Sequence, residues 1–269
     1  MKTILVPTEP HEFMSSALQC ASLLARKFDS YIEGFALLPA MVELYALDAG
    51  IPLPIEVKEH DAEVAREARR LFENFMNDNG VARSDWLDTV PDGDPFVGSY
   101  GRVFDIIVLG RPGPSRRSRP SMATIEAALF ESGRPILIAP PSPPQRMGEN
   151  ILIAWNCSTE QARTTAFAVP LLQRASRVVV LTVTGGTVQG PTGEQMAHYL
   201  QQHGVQSECV TVAPGARSTG EVILAEAAAR QCDLLIKGAY TQSRLSQMIF
   251  GGATRHILAN AALPVLMAH

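Results

Sequence analysis

The sequence predicts an α/β protein made of two tandem doubly wound parallel sheets, each of five strands in the order 3-2-1-4-5, paired through their last strands. Three observations carry this expectation. Short apolar runs alternate with amphipathic stretches along the whole chain, which is the pattern of strand–helix–strand crossovers. The same order of elements occurs twice, and the copies align by eye: 2–6 (KTILV) with 149–153 (ENILI), 105–110 (DIIVLG) with 233–238 (DLLIKG), and 134–139 (RPILIA) with 263–268 (LPVLMA). Between the copies lies Pro140-Pro141-Ser142-Pro143-Pro144, a stiff extended stretch. The chain therefore divides into a first domain at 1–140, a linker at 141–148 and a second domain at 149–269, each near the usual domain size.

In the first copy a strand is expected at 3–6, followed by a turn through Pro7 to Pro10. A helix is expected at 11–28, because Met14, Ala17, Leu18, Ala21, Leu24, Ala25 and Phe28 recur at one-face helical spacing. A strand at 31–38 follows. The segment 39–54 is apolar, with Met41, Leu44, Tyr45 and Leu47, and has no counterpart in the second copy. It is expected to cover the first copy's cleft or to join a homodimer. A helix at 56–79 turns Val64, Ala68, Leu71, Phe72 and Phe75 inward and stops at Gly80. A strand at 86–90 leads to a short helix with Asp94 as N-cap and Pro95 at its first position. Strands at 105–109 and 136–139 complete the copy.

In the second copy strands are expected at 150–154, 178–184 and 208–212. Three helices between and after them open on capping boxes, Ser158 with Gln161, Thr192 with Gln195, and Ser218 with Glu221. The remaining residues, 233–269, read as strand, polar loop, helix and strand. Leu234 to Ile236 ends at Gly238, Gly251 and Gly252 precede the helix at 253–262, and Val265 to Met267 follows Pro264. The last strand of each copy is short and apolar. An open strand edge is a pairing site, so these two are expected to pair with each other and give a pseudo-twofold monomer.

Composition narrows the function. A net charge of −4 argues against general affinity for nucleic acid. The charge is uneven: residues 1–148 hold 15 Lys/Arg against 20 Asp/Glu, a balance of −5, and residues 149–269 hold 8 against 7, a balance of +1. No apolar run approaches the ~20 residues of a membrane span. The chain enters its first strand without an apolar leader, so a cytoplasmic protein is expected. Cys20, Cys157, Cys209 and Cys232 are widely spaced and read as free thiols, with Cys20 and Cys232 in the core and Cys157 in a loop, the most open to reaction. No nucleophile elbow, Ser/His/Asp order or Cys/His ligand spacing is present, and His198 and His203 stand five apart, which is wrong for a shared metal face. The chain is therefore read as no enzyme, with neither a catalytic nor a metal site.

The segment 233–269 has the physical features of an anion site. The first N–H groups of its helix lack partners within the helix, and a phosphate can fill that place. A ligand-free pair of capping glycines explains the glycines equally well. The spacing Gly238, two residues, Thr241, nine residues, Gly251, Gly252 resembles the nucleotide-binding segment of the universal stress protein family, whose pattern is Gly, two residues, Gly, nine residues, Gly, then Ser or Thr. Thr241 stands in place of the second glycine and Gly252 in place of the hydroxyl, with Thr254 two residues on. The duplication extends the resemblance to the tandem form of that family over the whole chain.

The resemblance implies a non-catalytic stress-response protein that binds ATP or another adenine nucleotide weakly, with or without Mg, in the second domain. Its site residues there are Trp155, Asn156, Val183, Gly238, Thr241, Gly251, Gly252 and Thr254. In the first domain the matching positions form a weaker site, Thr8, Glu9, Gly110, Gly113 and Thr124. Glu9 and Asn156 replace the Asp that the family has at the end of its first strand, and Glu9 brings a negative charge. The loop that holds Gly113 carries Arg111, Arg116, Arg117 and Arg119, read as a solvated charge run over a phosphate grip. The alternative is a partner-binding or structural module whose nucleotide sites have degenerated, with an unidentified protein partner.

Overall fold

In both halves the central strands are uninterrupted apolar runs, because a parallel sheet is covered on both faces. The computed structural model describes residues 1–38, 55–88, 93–112, 121–239 and 252–269. The segment 39–54 and the Arg-rich loop at 113–120 lie outside the described residues, as do Gly113, Thr241 and Gly251. By packing, the chain divides into two compact units, Met1–Arg134 and Pro135–His269.

The first unit contains β1 (Thr3–Thr8), α1 (Met14–Phe28), β2 (Tyr31–Ala36), α2 (Ile55–Asp78), β3 (Ser84–Leu87), α3 (Asp94–Tyr100), β4 (Ile106–Leu109) and α4 (Met122–Glu131). Its sheet runs β3-β2-β1-β4, all parallel, with Ile4 beside Ile32 on one side and Ile106 on the other. Helix α1 starts three residues later than its apolar spacing suggests. The Phe13 N–H donates to His11 Nδ1 at 3.0 Å, so 11–13 form a turn that precedes the helix. The expectation that Asp94 caps α3 is also corrected by one residue: Gly93, at φ 96°, is the N-cap, and Asp94 lies in the first turn. The Asp94 carboxylate instead accepts the Thr124 hydroxyl at 2.5 Å, tying α3 to the start of α4.

The second unit contains β5 (Ile136–Ile138), β6 (Asn150–Trp155), α5 (Thr159–Leu172), β7 (Arg177–Val183), α6 (Gly193–Gln202), β8 (Glu208–Val212), α7 (Thr219–Ala229), β9 (Leu234–Ile236), α8 (Gly252–Asn260) and β10 (Val265–Met267). Its sheet runs β5-β10-β9-β6-β7-β8. From β10 to β8 the strands are parallel and follow the expected 3-2-1-4-5 order of a copy. The two last strands pair as expected: β5 lies antiparallel to β10, with Val265 opposite Ile138 and Met267 opposite Ile136. This pairing is why the packing boundary falls ahead of β5 and not within the proline-rich stretch. The result is an α/β fold with a mixed, mostly parallel sheet.

The repeated Asp at 105 and 233 has one structural cause. Asp233 Oδ1 accepts the N–H groups of Gly148, Glu149 and Asn150 at 2.8, 3.0 and 3.1 Å, fixing the start of β6 against the start of β9. Asp105 accepts the N–H groups of Lys2 and Thr3 at the start of β1 in the same way. Of the three expected capping boxes, those on α6 and α7 are complete. On α5 only half forms. Ser158 accepts the Gln161 N–H at 3.1 Å, but the Gln161 side chain turns away, because it is buried and serves the backbone of β9's end.

Candidate functional site

In an open α/β sheet the chain diverges at the strands' carboxyl ends where the order reverses, and a crevice opens there. In the second unit that point lies between β6 and β9. A cavity of about 220 Å³ occupies it, lined by Ala154, Trp155 and Asn156 at the end of β6, Leu181 and Val183 of β7, and Gly186 beyond it. Thr219 and Ile223 of α7, Lys237 after β9, and Gly252, Ala253 and Thr254 of α8 complete the lining.

The backbone sets these walls. Gly186 lies against α7, since an added Cβ would stand 2.9 Å from Thr219 Cγ2. Gly220 lets α8 approach α7 closely, because a Cβ there would meet His256 Cβ at 2.9 Å and the Ala253 carbonyl at 3.0 Å. His256 is thus accounted for by packing. With no Cβ at Gly220, the start of α8 can lie next to the cavity. Among the described residues a Cβ added at Gly252 would meet nothing within 4 Å. Trp155 is buried and its indole N–H donates to the Pro191 carbonyl at 2.8 Å, which fixes the ring as a wall. Thr254 is buried in the first turn of α8 and contributes a hydroxyl to the lining.

Five of the residues expected from the sequence, Trp155, Asn156, Val183, Gly252 and Thr254, are brought together around this cavity. Gly238 is not among the lining residues. Its N–H donates to Gln161 Oε1 at 2.7 Å, and a Cβ added to it would collide with the α5 backbone. Thr241 and Gly251 lie outside the described residues.

Sequence reasoning missed Lys237, Thr219 and Gly186. Lys237 is the unusual one. It is only 6% exposed, and its Nζ donates to the Gly238 carbonyl at 2.7 Å. Burial pushes its pKa down to about 8, against a smaller opposing pull from the Glu160 carboxylate. The aligned position in the first unit is Leu109, an apolar core residue. That mismatch in an otherwise matched repeat was the available signal.

The positions expected in the first unit are differently engaged. The Thr8 hydroxyl donates to the Val6 carbonyl at 3.0 Å, and Thr124 is bonded to Asp94 and Ser121. Glu9 and Gly110 are buried at the carboxyl ends of β1 and β4, and Gly113 lies outside the described residues. His11, half-buried beside this end of β1, has its pKa lowered to about 4 by burial.

The cysteines are free, as read. Cys232 is partly exposed where a core position was expected, because it follows the end of α7 and precedes β9. Cys157 adopts a left-handed φ of 66°, and burial raises its thiol pKa, which lowers its thiolate fraction and its reactivity. Among the described residues no cluster of three or more His, Cys, Asp or Glu side chains is arranged to hold a metal, and no helix is long and apolar enough to cross a membrane.

A sequence profile described as the universal stress protein family matches residues 147–269. No curated protein matches the chain. Among solved structures, a universal stress protein from Archaeoglobus fulgidus DSM 4304 is 15% identical, with a TM-score of 0.75 over 99% of this chain and 97% of that one. A protein from Pseudomonas aeruginosa UCBPP-PA14, named as a universal stress protein, is 15% identical with a TM-score of 0.57 over 100% and 93%. A protein of unknown function from Pseudomonas aeruginosa PAO1 is 14% identical with a TM-score of 0.59 over 100% and 92%. At these identities the likeness is one of fold, and it spans both units.

Proposed function

Because residues 147–269 form a domain of the universal stress protein family, we propose that the protein is a non-catalytic stress-response module that binds an adenine nucleotide weakly in its second domain. One observation carries this reading: a cavity at the topological switch point whose lining includes the first residues of a helix, a buried hydroxyl and a buried cation. The base would lie against Trp155, Asn156 and Val183. The phosphates would lie at Gly252 and Thr254, where helix N–H groups and the helix dipole favour an anion. Gly251 and Thr241 belong to the same proposed site by their place in the family pattern.

Electrostatics supports the choice of domain. The second half carries a balance of +1, against −5 in the first. The first-domain hydroxyls of Thr8 and Thr124 are already bonded within the fold, and Glu9 adds a buried carboxyl there. The domain limits proposed with this reading are 1–140 and 149–269 with a linker at 141–148, following the repeat. A cytoplasmic setting agrees with four free cysteines.

Calorimetric titration with ATP, with and without Mg, tests the reading. Wild type and Gly113→Val are expected to bind, and Gly251→Val is expected not to, since a β-branched side chain would fill the phosphate's space. Binding lost in Gly113→Val and kept in Gly251→Val would move the site to the first domain. No binding by any form would favour the partner-binding module, with the segment 39–54 as its docking element or a homodimer contact. Sedimentation of a variant lacking 41–51 reports on that role.

A further inference from the structure

Lys237 is a charge placed where the fold calls for an apolar side chain. Its counterpart in the first unit is Leu109, buried to 1% exposure at the end of β4. A buried ammonium has three N–H donors and a large desolvation cost. Among the described residues Lys237 makes one hydrogen bond, to the Gly238 carbonyl. No carboxylate among them lies within salt-bridge distance. Among the described residues such an amine is incompletely satisfied, and it lines an open cavity.

The neighbouring charges do not complete it. On α5, Glu160 accepts the Thr159 hydroxyl and acts on Lys237 only through its field, and Arg163 donates to the His269 carbonyl. On α7, Glu221 is used in the capping box with Ser218. On α8, Arg255 is exposed and His256 packs on Gly220. Strands β6 and β10 carry no ionisable side chain.

We propose that Lys237 selects the ligand of this cavity, accepting an oxyanion of the phosphate class at Nζ and discriminating against uncharged ligands of the same shape. The proposal rests on the reading of this cavity as a ligand site. It adds a second anchor beside the start of α8, in the same lining as Gly252 and Thr254. The oxyanion supplies the missing acceptors and the opposing charge, so binding and protonation of Lys237 reinforce each other. Burial pushes the pKa of this amine down to about 8. Occupation by an oxyanion moves that titration upward, and by linkage the oxyanion binds more weakly as pH rises through that region. An uncharged ligand leaves the ammonium buried and unsatisfied, which weakens its binding.

The test uses the full chain, with ATP, adenosine and inorganic pyrophosphate as probes, on wild type and Lys237→Met. Calorimetry at neutral pH is expected to show ATP binding weakened by about tenfold or more in Lys237→Met, with adenosine bound at least as well as by wild type. Independently of any variant, NMR of the Lys237 side chain in wild type is expected to show its titration moving upward with pyrophosphate or ATP and staying in place with adenosine. Equal ATP binding by both forms would overturn the role of Lys237 and leave the nucleotide reading standing. Failure of ATP to bind, with the titration still moved by pyrophosphate, would overturn the nucleotide reading and leave the oxyanion site. A titration unmoved by ATP and pyrophosphate alike overturns the proposal.

Discussion

Gly238 and Gln161 hold each other across 77 residues of sequence: the glycine N–H donates to the glutamine Oε1 at 2.7 Å, and a Cβ on Gly238 would come within 2.5 Å of the Gln161 backbone nitrogen. The nearest atoms are all backbone of α5, so no side-chain rotation relieves the clash. Gly238→Ala is therefore expected to destabilise the second unit by roughly 1–3 kcal/mol, the usual cost of overpacking. Urea denaturation of the full chain, followed through Trp155, measures it. An unchanged midpoint would show that α5 can move away.

Sequence reasoning placed Gly238 beside a ligand and Gln161 in a capping box, because both arguments use only near neighbours along the chain. The real relationship is long-range, and no local pattern encodes it. Lys237 escaped for a related reason. Strands buried on both faces have no polar alternation, so nothing in LLIK tells which side chain meets a cavity. By contrast the strand order, the last-strand pairing and the α6 and α7 caps were legible, because each follows from apolar runs, repeats and short-range hydrogen bonds. The gathering of Trp155, Asn156, Val183, Gly252 and Thr254 around one cavity was legible through the strand order and the family pattern. Asp105 and Asp233 were visible as a repeat, but not their job of holding strand starts.

Asp233→Ala is expected to cost the second unit about 2–4 kcal/mol, because it strands the N–H groups of Gly148, Glu149 and Asn150 at a largely buried site. Asp105→Ala is expected to cost less, since its N–H partners at Lys2 and Thr3 are more exposed. Hydrogen exchange at residues 148–150 reports the loss directly. Equal exchange in mutant and wild type would show that another acceptor takes over.

His11 makes the first unit sensitive to acid. Its folded pKa is lowered by burial from 6.5 to about 4, and its Nδ1 must stay unprotonated to accept the Phe13 N–H. The unfolded chain takes up this proton first. The contribution is therefore fully present above pH 6.5 and is lost as pH falls from 6.5 towards 4. His11→Asn keeps an acceptor without the titration, so its stability relative to wild type should rise across that window. A His11 resonance titrating near 6.5 in the folded protein would contradict this.

Gly252 offers a way to fill the cavity without straining the fold. Among the described residues its Cβ direction is open, and its φ is not in the left-handed region. Gly252→Leu is expected to leave thermal stability within about 0.5 kcal/mol, as for a substitution that meets no neighbour. The same change should weaken ATP binding by about tenfold or more. A variant that binds ATP as well as wild type would place the phosphates elsewhere.

The antiparallel seating of β5 on β10 bears on how the halves can be handled as separate fragments. A recombinant second half begun at Glu149 would lack β5, leaving Val265, Leu266 and Met267 with a bare apolar margin on that side of β10. Such a margin is a template for another chain, and two copies of that fragment would find each other through it. A fragment begun at Pro135 carries its own cover. The three residues Ile136–Ile138, which sequence order assigns to the first copy, thus pair the β10 edge of the second.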